Sequence, residues 1–268
     1  MLECVVNVSE GWDGDVIDAL AAAAGPGLLD VHADPHHHRS VFTMVGVDAP
    51  RALATAALAA VDLTGHVGAH PRLGAVDVVP FVALTGSSPG DALAARDDFA
   101  RWLAHEHQVP CFLYGPERTL PEVRRRAFRD LAPDLGPGEP HPRAGATAVG
   151  RRGVLVAYNV WVDGVTDSSV RSLAAAVRSS EVRALGLAVG ERWQVSMNLV
   201  EPQVIGPDVA YDRVAALAAE HGAAVQGAEL VGLVPQAVLE AVPRHRWAEL
   251  DLGPERTLEA RLEAAGLS

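Results

Sequence analysis

Leu28-Leu29-Asp30-Val31-His32, then Ala33-Asp34-Pro35-His36-His37-His38-Arg39, then Ser40-Val41-Phe42-Thr43-Met44-Val45-Gly46-Val47 is the stretch that decides the fold. Its two outer runs are apolar and strand-like, and only a polar, histidine-rich turn joins them. Upstream, Glu3 to Ser9 is a valine-rich run that predicts a first strand. Asp15 to Ala24 follows as a helix with apolar Val16, Ile17, Leu20 and Ala23, stopped by Gly25-Pro26-Gly27. Downstream, Asp48 reads as the cap of a helix with Pro50 in its first turn, running to about Leu63. Val76 to Leu84 is the fourth strand. The order is β-α-β-β-α-β, a split βαβ unit. A helix from about Pro89 to Glu106, a strand at Val109 to Tyr114 and a helix around Pro121 to Leu131 complete the first half.

Ala132 to Gly150 has little periodicity and much proline and glycine, which suits a boundary or a binding loop. Beyond it come a strand at Gly153 to Trp161 and a helix at Ser168 to Arg178. Strands at about Ala184 to Val189 and Trp193 to Val200, a helix at Pro207 to His221 and a strand at Ala224 to Leu233 repeat the pattern. Helices near Gln236 to Ala241 and Pro254 to Ala264 end the chain. The expectation is an α/β fold of two similar βαββαβ subdomains, 1–153 and 154–268. Each would carry helices on one face of its sheet, with a ligand cleft between the two.

Of 268 residues, 49% are hydrophobic, 21% charged and 5% aromatic, a globular balance with enough apolar material for one large domain or two small ones. No apolar segment approaches the length of a bilayer span, and Met1-Leu2-Glu3-Cys4 carries an acid where a signal peptide carries bases. A soluble, cytoplasmic protein is expected. The net charge is −12, which disfavours nucleic acid and anionic membrane surfaces as partners. Every base is an arginine, and without lysine there is no Schiff-base chemistry. Cys4 and Cys111 lie inside apolar runs and read as buried free thiols.

Between Arg118 and Arg152, eight arginines face four acids, a local reversal of the overall charge. Arg124 to Arg129 read as a solvated helix face. Arg143, Arg151 and Arg152 flank the glycine- and proline-rich loop, where a multiply charged anion could bind.

Three segments carry chemistry. Gly65-His66-Val67-Gly68-Ala69-His70-Pro71-Arg72-Leu73-Gly74-Ala75-Val76-Asp77 is a shaped loop entering a buried strand. A histidine there, His70, has an ordinary pKa close to working pH and suits a general base, though a surface histidine in a turn has the same pattern. In the turn 36–38, consecutive histidines point apart, so at most His36 and His38 share a face, and no HExxH or CxxC partner exists. A ligand-contacting turn with Arg39 as an anion clamp, a metal site and plain surface all remain open there. Pro133-Asp134-Leu135-Gly136-Pro137-Gly138-Glu139-Pro140-His141-Pro142-Arg143-Ala144-Gly145 is a stiff loop, fit to pack on a flat heterocycle or to serve as a linker.

With these residues in view, the sequence resembles the glutamate formiminotransferase (formimidoyltransferase) family, the transferase domain of formiminotransferase-cyclodeaminases and its stand-alone bacterial relatives. The likeness runs from Glu3-Cys4-Val5 and Asn7-Val8-Ser9-Glu10-Gly11 through Gly68-Ala69-His70-Pro71-Arg72-Leu73-Gly74-Ala75-Val76-Asp77. It continues through Pro133-Asp134-Leu135-Gly136-Pro137, Ala144-Gly145-Ala146-Thr147-Ala148-Val149-Gly150, Met197-Asn198-Leu199 and Glu229-Leu230-Val231-Gly232-Leu233-Val234-Pro235. The resemblance ends with the transferase part and implies one reaction. That reaction moves the formimino group of N-formimidoyl-L-glutamate to N5 of tetrahydrofolate, in histidine degradation and one-carbon metabolism.

The resemblance makes His70 the proton acceptor. It puts the folate contacts on Gly136, Pro137, Gly138, Glu139, Pro140, His141, Pro142, Arg143, Ala144 and Gly145. It also implies a subdomain division just before Val154 or Leu155, a homodimer, tetrahydrofolate as co-substrate and no metal. A protonated formimino carbon calls for nearby carboxylates, for which Asp34, Asp77 and Glu10 are candidates, Asp34 first. Arg39, Arg72 and Arg143 would take the carboxylates of glutamate and the folate tail. There are departures: His38 stands where the family commonly has asparagine, His32 where the animal enzymes carry an acid, Ala144 where they carry tryptophan, and Arg151-Arg152 in place of a usual alanine-arginine pattern. These leave three alternatives: a related folate-dependent transferase with another formyl or formimino donor, a non-catalytic folate-binding protein, and a metal-dependent hydrolase using His36 to His38.

Overall fold

β1 (Leu2–Val8) is the strand around which the first half of the molecule forms. The computed structural model describes residues 1–68 and 70–267, and the chain divides into two units, Met1–Gly153 and Val154–Ser268. In the first unit β1 is followed by α1 (Gly14–Ala24), β2 (Leu28–Asp34), β3 (Arg39–Val45), α2 (Asp48–Ala60) and β4 (Val76–Ala83). That is the expected β-α-β-β-α-β order. α3 (Pro89–Glu106), β5 (Cys111–Tyr114), α4 (Leu120–Arg126) and β6 (Thr147–Arg151) extend it. Among the described residues the sheet has six strands in the order β2-β3-β1-β4-β6-β5. β1 pairs antiparallel with both β3 and β4, setting Val6 against Phe42 and Cys4 against Phe81.

The local boundaries have readable causes. Asp13 caps α1 by accepting the backbone N–H groups of Asp15 and Val16, so the helix begins ahead of Asp15. Asp48 is not a cap: it sits inside the first turn of α2, where a negative charge complements the helix dipole, and Val47 precedes it without a side-chain bond. α2 ends at Ala60, short of Leu63, because Val61 turns extended. α3 matches its expected limits, closed at its start by a Ser88–Asp91 capping box. α4 stops at Arg126 instead of Leu131, since Phe128 takes a positive φ of 59° and its N–H turns back to the Leu131 carbonyl.

The main correction concerns the supposed loop Ala132 to Gly150. Its last residues form β6, wedged parallel between β4 and β5 with Ala148 beside both Val78 and Phe112. A strand buried on both faces has no polar alternation to betray it, and Thr147-Ala148-Val149-Gly150 offers only small residues. The glycine is demanded by packing: a Cβ on Gly150 would run into the ring of Tyr114.

One face of the sheet, bearing Cys4, Val6, Phe42, Met44 and Phe81, packs against Leu20, Leu53, Ala57, Phe99 and Leu103 of the helices. A smaller cluster of Val78, Phe112, Tyr114 and Ala148 packs against Val123 of α4. Both cysteines are buried and free, and burial, followed by the Asp134 charge, pushes the Cys111 thiol up to about 12.

The second unit repeats the first motif: β7 (Val156–Asp163), α5 (Asp167–Val177), β8 (Val182–Val189), β9 (Arg192–Leu199), α6 (Pro207–Glu220) and β10 (Ala224–Val231). Its sheet order is β10-β7-β9-β8, antiparallel throughout. Tyr158, Val160, Leu173, Val177, Val214 and Leu230 form its core. α7 (Gln236–Ala241) follows as expected, but the last helix divides into a short 3-10 turn, Pro254–Arg256, and α8 (Leu258–Ala264). Thr257 causes the break by turning extended and capping α8. Among the described residues no helix is long and apolar enough to cross a membrane.

Gly150→Ala tests the β5–β6 seam. Forcing a methyl against the Tyr114 ring should cost about 1–3 kcal/mol of unfolding free energy, measured in urea. Pairing it with Tyr114→Leu should recover part of that loss.

Candidate active site

The pairing of β1 with its neighbours places the chemistry at one end of the first sheet. Asn7 near the end of β1 lies opposite Val41 of β3 and beside Val78 of β4. Arg39 opens β3, and Asp77 is the second residue of β4. Residues 70–75 lie at this end and are pinned there. Ser9 donates its backbone N–H to the Ala75 carbonyl at 2.8 Å and its hydroxyl to the Gly74 carbonyl at 2.8 Å.

Asp77 is the centre. Its side chain is fully buried, and its Oδ2 accepts from Arg39 Nη1 at 2.6 Å and from Arg124 Nη2 at 2.7 Å. Oδ1 accepts the Leu73 backbone N–H at 2.6 Å. Burial alone would raise this carboxyl, but the Arg39 and Arg124 guanidiniums outweigh it and hold the group far below the usual carboxylate range. Arg39 is also anchored by Nε to Asn7 Oδ1 at 2.9 Å. Burial draws the Arg39 pKa down, opposed chiefly by the Asp77 charge.

His70 sits on this ion network. Its Nδ1 lies 3.1 Å from Arg39 Nη1 and 2.8 Å from the Pro71 carbonyl oxygen. Burial, and after it the Arg39 charge, push the imidazole well below its ordinary value, so the ring is neutral near pH 7. When Nδ1 carries the proton and donates it to Pro71, Nε2 offers its lone pair. A neutral imidazole of that tautomer can take a proton from a substrate. Arg72 anchors the same loop, its guanidinium donating to the carbonyls of His66 at 2.7 Å and His70 at 3.3 Å.

The histidine turn wraps the other side. Asp34 accepts the His37 backbone N–H at 2.8 Å and lies 3.8 Å from His37 Nε2, while the His37 ring meets the His70 ring edge-on at 5.9 Å. His38 takes a positive φ of 49°; its ring is stacked between Trp12 and His66, with centroids 3.8 Å away on both sides. Its nitrogens meet the Val67 carbonyl at 2.8 Å and Glu10 Oε1 at 3.2 Å. Burial would raise Glu10, but backbone N–H groups of Asp13, Trp12 and Gly11, with the His38 charge, hold it low. His36 faces solvent while His37 and His38 are buried, and among the described residues no three His, Cys, Asp or Glu side chains gather to hold a metal ion.

The end of the glycine–proline loop reaches the same place. Gly136 takes a positive φ of 87° and packs near the Val109 carbonyl. Pro137 is half-buried, whereas Gly138, Glu139, Pro140 and Pro142 are exposed. His141 and Gly145 exchange backbone hydrogen bonds of 2.8 Å, and His141 Nδ1 accepts the Ala144 N–H at 3.0 Å. Arg143 is exposed and pairs with Asp62 at 2.8 Å. Ala144 is buried with its carbonyl bonded to Ala75 N, and Gly145 bridges Gly74, where a Cβ would strike the Leu73 carbonyl. The loop that bears His70 and the end of the glycine–proline loop are thus knitted together.

The arrangement therefore unites His70, Arg39, Asp77, Asp34 and Arg72, with Glu10 alongside, and ties residues 141 to 145 to them. Arg124 was legible only as part of a solvated helix face, yet it turns inward to Asp77, while Arg125, Arg126 and Arg129 do face water. Its position one turn after the Thr119–Glu122 capping box was the only hint. Asn7, His37 and His66 lie in segments that the sequence singles out, but none of the three was itself read as a site residue.

A neutral imidazole thus rests on a buried arginine–carboxylate–arginine network at the end of a split βαβ sheet, an arrangement able to accept a proton. Residues 1–152 match the formiminotransferase domain, N-terminal subdomain, and residues 151–249 match the formiminotransferase domain. The chain belongs to the formiminotransferase domain family. It is 36% identical to a glutamate formimidoyltransferase of Streptococcus pyogenes serotype M1, over 89% of this chain and 90% of the relative. A second glutamate formimidoyltransferase, from Thermoplasma acidophilum, is 32% identical over 99% of this chain and 98% of its own length. The formimidoyltransferase-cyclodeaminase of Sus scrofa is 34% identical over 90% of this chain, which spans 51% of that longer protein.

Removing Asp77 strands two guanidiniums. Asp77→Ala should cost about 3–5 kcal/mol in chemical denaturation, the scale for breaking a buried ion pair. The pH dependence has a definite sign. The depressed Asp77 carboxyl contributes stability that is complete above the ordinary carboxylate range and is lost as pH falls through it toward the folded value. Wild-type stability should therefore fall below about pH 4, and Asp77→Asn, starting lower, should show a shallower fall.

Proposed function

We propose that the protein is a glutamate formimidoyltransferase, which transfers the formimino group of N-formimidoyl-L-glutamate to N5 of tetrahydrofolate with His70 as the general acid and base. The observation that carries this reading is His70 itself: a neutral imidazole whose Nδ1 side is occupied by Arg39 and Pro71. The family membership and the stand-alone formimidoyltransferase relatives support the same chemistry.

In the proposed reaction, the N5 nitrogen bonds to the formimino carbon and makes a tetrahedral carbon flanked by nitrogens. His70 Nε2 takes the proton from the attacking nitrogen and returns it to the glutamate nitrogen as that carbon–nitrogen bond breaks. Glutamate leaves, and the formimino group stays on the folate. Asp34 is the carboxylate proposed to face the cationic carbon. Asp77 is held on both oxygens by two arginines and a backbone N–H, and Glu10 has its Oε1 engaged by three backbone N–H groups and the His38 ring. Asp34 keeps its Oδ2 against the His37 ring, which in turn touches His70.

Arg39 and Arg143 are the proposed partners of the substrate carboxylates. Arg72 is occupied with backbone carbonyls and acts by shaping the loop. Folate contacts are proposed along Gly136 to Gly145, supported by the exposure of Gly138 to Pro140 and by the bridge from Gly145 to the His70 loop. Residues 1–153 and 154–268 are taken as the N- and C-terminal transferase subdomains, working as a cytoplasmic homodimer.

His70→Ala should lower kcat about 10²–10⁴-fold in a transfer assay while leaving the fold intact by circular dichroism. Unimpaired transfer by the folded variant would remove His70 from the mechanism. Neutral imidazole is the active form, so kcat/KM should fall only as pH drops through a value below the ordinary histidine pKa. Comparing N-formimidoyl-glutamate with N-formyl-glutamate would separate the donor proposed here from the related donor that His32, His38 and Ala144 leave open.

A further inference from the structure

We propose that Arg124 is a positioning residue for His70, acting through Asp77 and the Pro71 carbonyl to select which ring nitrogen serves as the base. The proposal rests on the role of His70 above and deepens it. Four charged or titratable groups face the ring: Arg39 from β3, Asp77 from β4, Arg124 from α4 and His37 from the histidine turn.

His70 Nδ1 confronts two partners of opposite kind. Arg39 Nη1 at 3.1 Å is a donor, and it already donates one hydrogen to Asp77 at 2.6 Å. The Pro71 oxygen at 2.8 Å is an acceptor. If Nδ1 accepts from Arg39, the ring proton sits on Nε2 and that nitrogen cannot take another. If Nδ1 donates to Pro71, Nε2 is free to act as base. The competition is between one guanidinium and one carbonyl, and Arg124 bonds both the carboxylate that holds the guanidinium and the carbonyl itself. Its Nη2 shares Asp77 Oδ2 with Arg39, and its Nη1 donates to the same Pro71 oxygen at 3.0 Å. A planar fork is suited to bridging these two acceptors at once, which a lysine ammonium on its single point of charge does less well.

Arg124 also lies on an element with no counterpart among the described residues of the second βαββαβ unit, because α4 belongs to the extension between β5 and β6. The side chain is half-buried, and its neighbours Arg125 and Arg126 are solvated. This one inward arginine of the run is therefore explained by the site and not by the helix surface.

Nitrogen-15 NMR of the imidazole reports the tautomer directly, without substrate. Wild type should show the proton on Nδ1, and Arg124→Ala should shift the population toward Nε2–H. The same variant loses a positive charge near the ring, so the His70 titration should move upward, and the acid limb of kcat/KM with it. kcat should fall about 10- to 100-fold, the scale for losing a partner that orients a functional histidine. KM should move less. Arg124→Lys keeps the charge on Asp77 and guards against a folding defect; it should retain the low titration but lose part of the Nδ1–H preference.

A folded Arg124→Ala or Arg124→Lys protein with the wild-type tautomer and kcat would overturn the proposal. If the Arg124 variants behave so while His70→Ala is dead, only the positioning role falls. If His70→Ala is fully active, it is the reading of His70 that falls.

Discussion

A carboxylate with no exposure to solvent, Asp77, lies between two guanidiniums, and the arrangement of side chains at this end of the first sheet depends on it. Desolvating one charge costs several kcal/mol, so such a group persists only where opposite charges and hydrogen bonds occupy its lone pairs. Here Arg39, Arg124 and the Leu73 N–H do so. The consequence reaches beyond stability. Leu73 fixes the loop that carries His70, Arg39 touches the ring, and Arg124 touches the carbonyl next to it. One buried charge thereby sets the position of a backbone segment and the electrostatics of an imidazole.

The architecture explains how those groups meet. Both units contain the split βαβ arrangement, with strands related in the same spatial order. The first unit adds two parallel strands, β5 and β6, on the β4 edge. That addition brings α4 with Arg124, and the loop ending at Gly145, against the start of β4. The ring stack of Trp12, His38 and His66 closes the opposite side. Charged and aromatic groups from well-separated parts of the chain thus share one strand end, where loops are free to vary over a rigid sheet.

The arginines divide by function within this frame. Arg72 and Arg124 spend their donors on backbone carbonyls or on Asp77, and Arg96 is buried against Glu117 and Asp97. Arg143 and Arg125 remain at the surface. Lysine is absent from the chain, and guanidinium suits this use because its fixed fork can serve two acceptors together.

Periodicity and turn chemistry by themselves determined the α/β class, the doubled β-α-β-β-α-β order and most helix limits, because those depend on spacing and on local caps such as Ser88–Asp91. A proline- and glycine-shaped loop and a polar turn stand out beside valine-rich strands and marked His70 and Arg39 as candidates, whereas the role of His70 and the candidate acids Asp34 and Asp77 came with the family resemblance. β6 escaped because a short strand buried on both faces carries no alternation. Only tertiary structure decided that Arg124 turns inward, that Asp77 is an ion-pair centre instead of a substrate-facing acid, and that Gly145 joins the His70 loop. Those facts belong to pairings between strands and loops tens of residues apart, and charge in a sequence does not say which side chains will be taken from water.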